Sequence, residues 1–147
     1  MDEIDGKIVK MLRENGRAPF AAIGAEVGLS PHGTADRVRR LERRGVITGF
    51  TANVDLGRVG RSLDAIVDAR LSPNTDPEKF EKQVAKLPPV RELAFLTGRF
   101  DYQLRVACRD SEELARTVLA IRRDAGASQT ETRIVMRVAV LQPAVDE

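Results

Sequence analysis

Between Gly28 and Ile47 the chain reads GLSPHGTADRVRRLERRGVI, and residues 37–44 hold five arginines against one acid, Glu42, a local charge of +4. Guanidinium groups present fixed forks of N–H donors that match phosphate oxygens and the O6/N7 edge of guanine, so such a cluster suits nucleic-acid contact. Ser30 is placed to act as a helix N-cap, and Pro31 at the first helical position gives up a donor that the helix would not use. A helix starting there puts Thr34, Val38 and Leu41 on one face, with His32, Asp36, Arg40 and Arg43 opposite, flanked by Gly33, Arg37, Arg39 and Arg44. The candidate DNA-contacting residues are Ser30, His32, Gly33, Arg37, Arg40 and Arg43. A solvated charged face is the competing reading of the same run.

Gly33 supports two readings. A helical glycine costs about 1 kcal/mol relative to alanine, so it either lets a base edge or sugar-phosphate backbone approach or is a tolerated weak point. His32 is the single histidine and Cys108 the single cysteine, too few for a four-ligand zinc site by themselves. No Ser/His/Asp or Cys/His arrangement and no glycine-rich phosphate loop is present, and the reading is non-enzymatic, with no cofactor or metal.

The elements around the arginine helix explain how it would be held. Phe20, Ile23 and Val27 recur at i, i+3 and i+7 in a short helix from Pro19 to Val27, joined through Gly28-Leu29-Ser30 to the next. Two short helices with such a turn form a helix-turn-helix. Asp2 to Asn15 repeats apolar residues at Ile4, Ile8, Met11 and Leu12 and ends at Gly16, while Val46 to Val54 reads as a strand suited to a wing. Residues 1–54 are therefore expected to form a winged helix-turn-helix, and 55–62, containing DLGRVGR, a linker.

The rest of the chain changes period. Leu63, Ala65, Val67, Ala69 and Leu71 alternate with Asp64, Ile66, Asp68 and Arg70, a strand with one buried face. Asp76-Pro77 opens a helix with Phe80, Val84 and Leu87 aligned; Val90–Thr97 and Tyr102–Arg109 read as a hairpin around Gly98-Arg99-Phe100-Asp101. Asp110 with Glu113 resembles a capping box for a helix carrying Leu114, Val118 and Ile121, and a last strand is expected from about Gln129 to Leu141. The order βαββαβ makes 63–147 a ferredoxin-like domain, and the chain α+β. Its helix-free sheet face mixes Ile66, Ala94, Leu96, Val135 and Ala139 with Asp64, Asp68, Arg105, Arg133 and Arg137. Such a face commonly pairs with a second copy, and a two-fold dimer would space two helices for a pseudo-palindromic site in double-stranded DNA.

Charge follows the same division. The 147 residues carry 24 Lys/Arg and 22 Asp/Glu, net +2; residues 1–60 hold ten basic and eight acidic groups, and 61–147 fourteen of each. No apolar run approaches the roughly 20 residues of a membrane span, the N-terminus MDEIDGK begins acidic, and one cysteine offers no disulfide framework. A cytoplasmic location without membrane association follows, with Cys108 as a small buried hydrophobe.

The chain resembles the leucine-responsive regulatory protein/AsnC (Lrp/AsnC) family over nearly its full length. MDEIDGKIVKMLRENGR is similar to the family's opening helix, GLSPHGTADRVRRLERRGVITGFTANVD to its recognition helix and following strand, LTGRFDYQLRV to its glycine-aspartate hairpin, and ASQTETRIVM to its final strand. The resemblance implies a DNA-binding transcriptional regulator with an amino-acid or related effector, assembling through its sheets into homodimers and often into rings of dimers such as an octamer. It carries Gly98 and Asp101 over as effector-binding residues, with Thr130 and Thr132 in support. A carboxylate at Asp101 can receive an α-ammonium and glycine-turn N–H groups an α-carboxylate; Asp101 as a hairpin stabiliser is the alternative. Thr34 and Gly24 depart from the usual aliphatic residue and alanine, which is expected to loosen packing slightly. Arg99 in the loop is either a surface arginine or a group favouring an anionic effector. Other functions weighed are an effector-independent architectural DNA binder and a siroheme decarboxylase-like enzyme, the latter disfavoured because the C-terminal half has no histidine.

Overall fold

The structure, a computed structural model, describes residues 1–142; the last five residues of the expected 63–147 domain lie outside the described residues. The chain divides into two compact units, one of Met1–Asn53 with residues 140–142 and one of Val54–Ala139.

The first unit contains α1 (Glu3–Glu14), α2 (Phe20–Val27) and α3 (Pro31–Arg43). Ile8, Val9 and Leu12 of α1, Ile23 of α2, and Val38 and Leu41 of α3 bury their side chains in one core. Burial of each is worth about 1.5–3 kcal/mol, more than the propensity of helices this short can supply. The expected loosening at Gly24 and Thr34 is not found. A Cβ on Gly24 would overlap the Leu29 carbonyl oxygen and stand 2.8 Å from Thr34 Oγ1, and that hydroxyl donates to Ser30 O at 3.0 Å. The small residue and the hydroxyl interlock, and the turn passes close to α2 because of them.

The expected wing strand is also absent. Val46 and Ile47 both donate their N–H to Leu41 O, at 2.9 and 3.2 Å, and no residue of 46–54 pairs into a sheet. A strand needs a neighbour to satisfy its ladder groups, and none lies within this unit among the described residues. The unit is therefore a three-helix helix-turn-helix followed by an unpaired segment.

In the second unit β1 (Leu63–Leu71), α4 (Pro77–Val84), β2 (Val90–Phe95), β3 (Tyr102–Cys108), α5 (Ser111–Arg123) and β4 (Ala127–Ile134) form the βαββαβ arrangement, with sheet order β2-β3-β1-β4 and all pairs antiparallel. Ala65, Val67 and Ala69 lie opposite Val106, Leu104 and Tyr102, and these six pack with Phe80, Val84 and Ile121 of the two helices. Cys108 is buried in this core, and burial pushes its thiol pKa up. On the other face Asp64 pairs with Arg105 at 2.8 Å and Asp68 with Arg133 at 2.7 Å.

Two segments differ from expectation. Residues 55–62, expected as a linker, belong to this unit: Leu56–Val59 form a 3₁₀ turn capped by Asp55, and Arg61 bonds Ala107 O at 3.0 Å and Glu113 Oε1 at 2.9 Å. The final strand stops at Ile134 rather than near Leu141. Its partner β1 begins at Leu63, and after Val135 N donates to Asp64 O there is no further ladder to join.

Candidate nucleic-acid interface and ligand hairpin

The local sequence sets the start of α3 as expected. Ser30 Oγ accepts the Gly33 N–H at 3.0 Å, so this oxygen serves the helix cap. Gly33 has a partial intramolecular explanation as well, since a Cβ there would stand 3.2 Å from Ser30 Oγ. His32 is exposed, with Nε2 3.4 Å from Asp36 Oδ2, an ion pair when the imidazole is protonated.

The arginines fall into two sets. Arg37, expected at the DNA face, instead turns toward α1: its NH1 donates to Asp2 Oδ2 at 2.7 Å and Asp5 Oδ1 at 3.0 Å. These bonds raise its pKa, while the bond from Arg37, with the backbone bond from Asp5 behind it, lowers that of Asp2. The reason is position. Arg37 sits at the edge between packed and exposed faces, within reach of the carboxylates that cap α1. Arg39 pairs with Asp36 at 2.8 Å. Arg40, Arg43 and Arg44 are exposed and have no ion-pair partner among the described residues. Uncompensated charge on α3 is thus concentrated at Arg40, Arg43 and its last residue's neighbour, and phosphate is the natural counter-charge for such a surface. Sequence reasoning did not single out Asp2 and Asp5 as partners. Their i, i+3 spacing signals a capping box, but nothing in the order of residues points to a contact 32 or 35 positions away.

In the second unit the hairpin turns at Gly98, whose φ of +108° is reached readily only by glycine. Asp101 is engaged on both its backbone and its side chain. Its N–H donates to Ala69 O at 2.9 Å, its carbonyl accepts from Leu96 N at 2.8 Å, and its Oδ2 accepts the Leu71 N–H at 2.8 Å. Leu71 lies at a register irregularity between β1 and β4, so the carboxylate takes up an N–H at a point where the ladder is disturbed. Arg99 lies over the Phe100 ring at 5.4 Å, and its carbonyl accepts from Arg70 Nε at 3.0 Å.

Thr130 and Thr132 lie on β4 opposite Ala69 and Val67. Asp101 and Thr130 therefore meet opposite sides of the same β1 residue, Ala69, whereas Gly98 belongs to the hairpin of β2 and β3, two strand spacings or about 10 Å from β4. Two clefts lie elsewhere: one of 360 Å³ is lined by residues that include Asp55, Asp64 and Arg91, and one of 240 Å³ by residues that include Leu12, Phe20 and Phe50. Neither contains any of the four residues expected to hold an effector.

The chain matches two known domain families in sequence: the AsnC-type helix-turn-helix domain over residues 1–42 and the Lrp/AsnC ligand binding domain over 64–145. It is 33% identical over 138 residues to the HTH-type transcriptional regulator AldR of Mycolicibacterium smegmatis, covering 92% of this chain and 81% of that protein. It is 34% identical over 142 residues to the leucine-responsive regulatory protein of Escherichia coli K12, covering 92% and 85%. Among solved structures, the transcriptional regulator NMB0573 of Neisseria meningitidis in complex with L-Met superposes with a TM-score of 0.91 at 26% identity, covering 99% of this chain and 96% of that one.

Proposed function

The chain belongs to the Lrp/AsnC family of transcriptional regulators, and from that premise we propose that it is a sequence-specific DNA-binding regulator whose binding or assembly responds to an amino acid or a related small metabolite. The observation that carries the DNA reading is the outward side of α3, where Arg40 and Arg43 are exposed without carboxylate partners among the described residues while Arg37 and Arg39 are neutralised. Arg40 and Arg43 contact the sugar-phosphate backbone or guanine edges, and His32 and Gly33 near the helix N-terminus stand closest to base edges. The L-Met bound to the Neisseria regulator supports an amino acid as the effector class.

The effector site forms between copies, a reading supported by the two clefts described above, neither of which is lined by Gly98, Asp101, Thr130 or Thr132. The helix-free sheet face packs against a second copy. Homodimers then place two α3 helices for a pseudo-palindromic site in double-stranded DNA, and dimers assemble further, into an octamer for example. The protein acts in the cytoplasm and is not an enzyme; among the described residues no helix is long and apolar enough to cross a membrane.

The test is DNA binding to the region upstream of the protein's own coding sequence at fixed salt, with and without each of the twenty amino acids, while particle mass is followed. A change in affinity or mass with one amino acid is the expected result. Tight binding that none of them alters would favour an effector-independent architectural role, a reading to which the engagement of Asp101 by Leu71 already lends weight. Arg40→Ala should lower the log–log salt slope by about one unit if Arg40 meets phosphate, or cost about 1–3 kcal/mol on the preferred site alone if it reads a base; no change in either would remove α3 from the interface.

A further inference from the structure

We propose that Arg37 is a positioning residue for the DNA-reading helix and not a DNA contact: with Asp2 and Asp5 it locks the rotation of α3 against α1, so that Arg40 and Arg43 face the duplex. This inference rests on the DNA-binding reading above and specifies how that face is aimed.

The division of labour among four carboxylate oxygens carries it. Asp2 Oδ1 accepts the Asp5 N–H at 2.8 Å and Asp5 Oδ2 accepts the Asp2 N–H at 3.3 Å, the two halves of the capping box that begins α1. The remaining oxygens, Asp2 Oδ2 and Asp5 Oδ1, both accept from the same NH1 of Arg37, at 2.7 and 3.0 Å. The capping box therefore orients both carboxylates before the guanidinium arrives, and Arg37 closes a site with no oxygen left over. The Arg37 side chain is 22% exposed and that of Asp5 6%, so the Arg37–Asp5 half of the cluster is withdrawn from solvent, while Asp2 at 56% stays exposed.

Two physical points separate this role from phosphate contact. Two carboxylates already neutralise the Arg37 guanidinium, so it offers a phosphate no uncompensated charge, in contrast to Arg40 and Arg43, which have no ion-pair partner among the described residues. The rest of the α1–α3 interface is made by aliphatic side chains such as Ile8, Leu12, Val38 and Leu41, whose attraction is non-directional and permits one helix to roll on the other. A charge-assisted pair at the edge of that interface has a preferred direction and removes the freedom to roll.

The test compares the full-length protein with Arg37→Met, Asp5→Asn and Arg40→Met on two duplexes, one carrying the region upstream of its own coding sequence and one scrambled to the same composition. Binding is measured over a series of salt concentrations, well below the melting temperature of each variant. Arg37→Met and Asp5→Asn are expected to lower the ratio of specific to non-specific affinity by on the order of tenfold, less than a lost bidentate base contact can cost. Both should leave the salt slope unchanged, while Arg40→Met lowers it by about one unit. A smaller folded fraction alone would weaken both duplexes equally and leave the ratio where it was.

The inference is overturned if Arg37→Met reduces the salt slope by about one unit, or if Asp5→Asn, which removes a negative charge, tightens binding. It is overturned equally if the ratio is unchanged in both. Should Asp5→Asn fail to fold, Asp2→Asn takes its place, since asparagine keeps the N-cap and removes only a charge facing Arg37. Failure of the DNA reading itself looks different: the unaltered protein would not distinguish the two duplexes, and Arg40→Met would leave the slope as it was.

Discussion

Gly24 and Thr34 occupy the same space between α2 and α3: the position where a Gly24 Cβ would stand is 2.8 Å from Thr34 Oγ1, and the hydroxyl is held there by its bond to Ser30 O. Gly24→Ala would ordinarily stabilise a helix by about 1 kcal/mol. Here it should destabilise by about 1–3 kcal/mol, because the new methyl meets the backbone carbonyl of Leu29 as well as the threonine. Urea unfolding of the two proteins decides the sign, and a more stable alanine variant would show that the turn is not packed as described.

Asp101 separates an anchor from a ligand contact. Asp101→Ala leaves the Leu71 N–H without its acceptor and should cost about 1–3 kcal/mol of stability. Asp101→Asn keeps an acceptor but not the charge, so it should retain most of the stability. If Asp101 also receives an α-ammonium, the asparagine variant loses the amino-acid response while remaining folded. A retained response in that variant, measured by DNA binding with and without the effector, assigns Asp101 to the hairpin alone.

Acid should act on the second unit through Glu113. Hydrogen bonding from the Arg109 N–H, reinforced by the Arg109 and Arg61 guanidinium groups, holds its carboxyl below the ordinary glutamate value of 4.5. A group with a lowered folded-state pKa binds fewer protons when folded, so its stabilisation is present above pH 4.5 and disappears as pH falls through the lower folded value. Glu113→Gln should therefore flatten the decline of melting temperature with pH below about 4.5 relative to the unaltered protein. An identical acid limb in the two proteins would remove Glu113 from the acid response.

Tyr102 offers a direct optical readout, since the chain has one tyrosine and no tryptophan. It is buried between Phe80 and Phe95, with ring centroids at 4.7 and 5.1 Å. Burial first, then the nearby Glu81 carboxylate, push its phenol from 10.0 up to about 12. The folded state holds its proton longer than the unfolded chain, so this contribution to stability is full below pH 10 and is lost as pH rises toward 12. Absorbance near 295 nm should show no phenolate at pH 10.5 in the native protein and clear ionisation at the same pH in urea. A native midpoint near 10 would place Tyr102 in contact with water.

Periodicity, caps and turns made most of the architecture legible, because these are relations between residues a few positions apart. Ser30 and Pro31 announced the start of α3, alternation across Leu63–Leu71 announced β1, and Gly98 with Asp101 announced the hairpin; each is found where local rules place it. The segment 46–54 and the end of β4 were misjudged for one reason. Strand propensity is local, but a strand exists only where another supplies its hydrogen bonds, and the reach of β1 ended one strand and the lack of a neighbour excluded the other. Residues 55–62 read as a linker from their glycines, yet Arg61 is drawn to Glu113, 52 positions away.

Among the site residues, the sequence by itself determined that α3 carries clustered positive charge opposite an apolar stripe. Only the tertiary structure decided which arginines keep that charge available, because a guanidinium is neutralised by whichever carboxylate the fold brings within about 3 Å. Arg37 and Arg40 are three residues apart on one helix, and the N-terminus of α1 reaches the first and not the second.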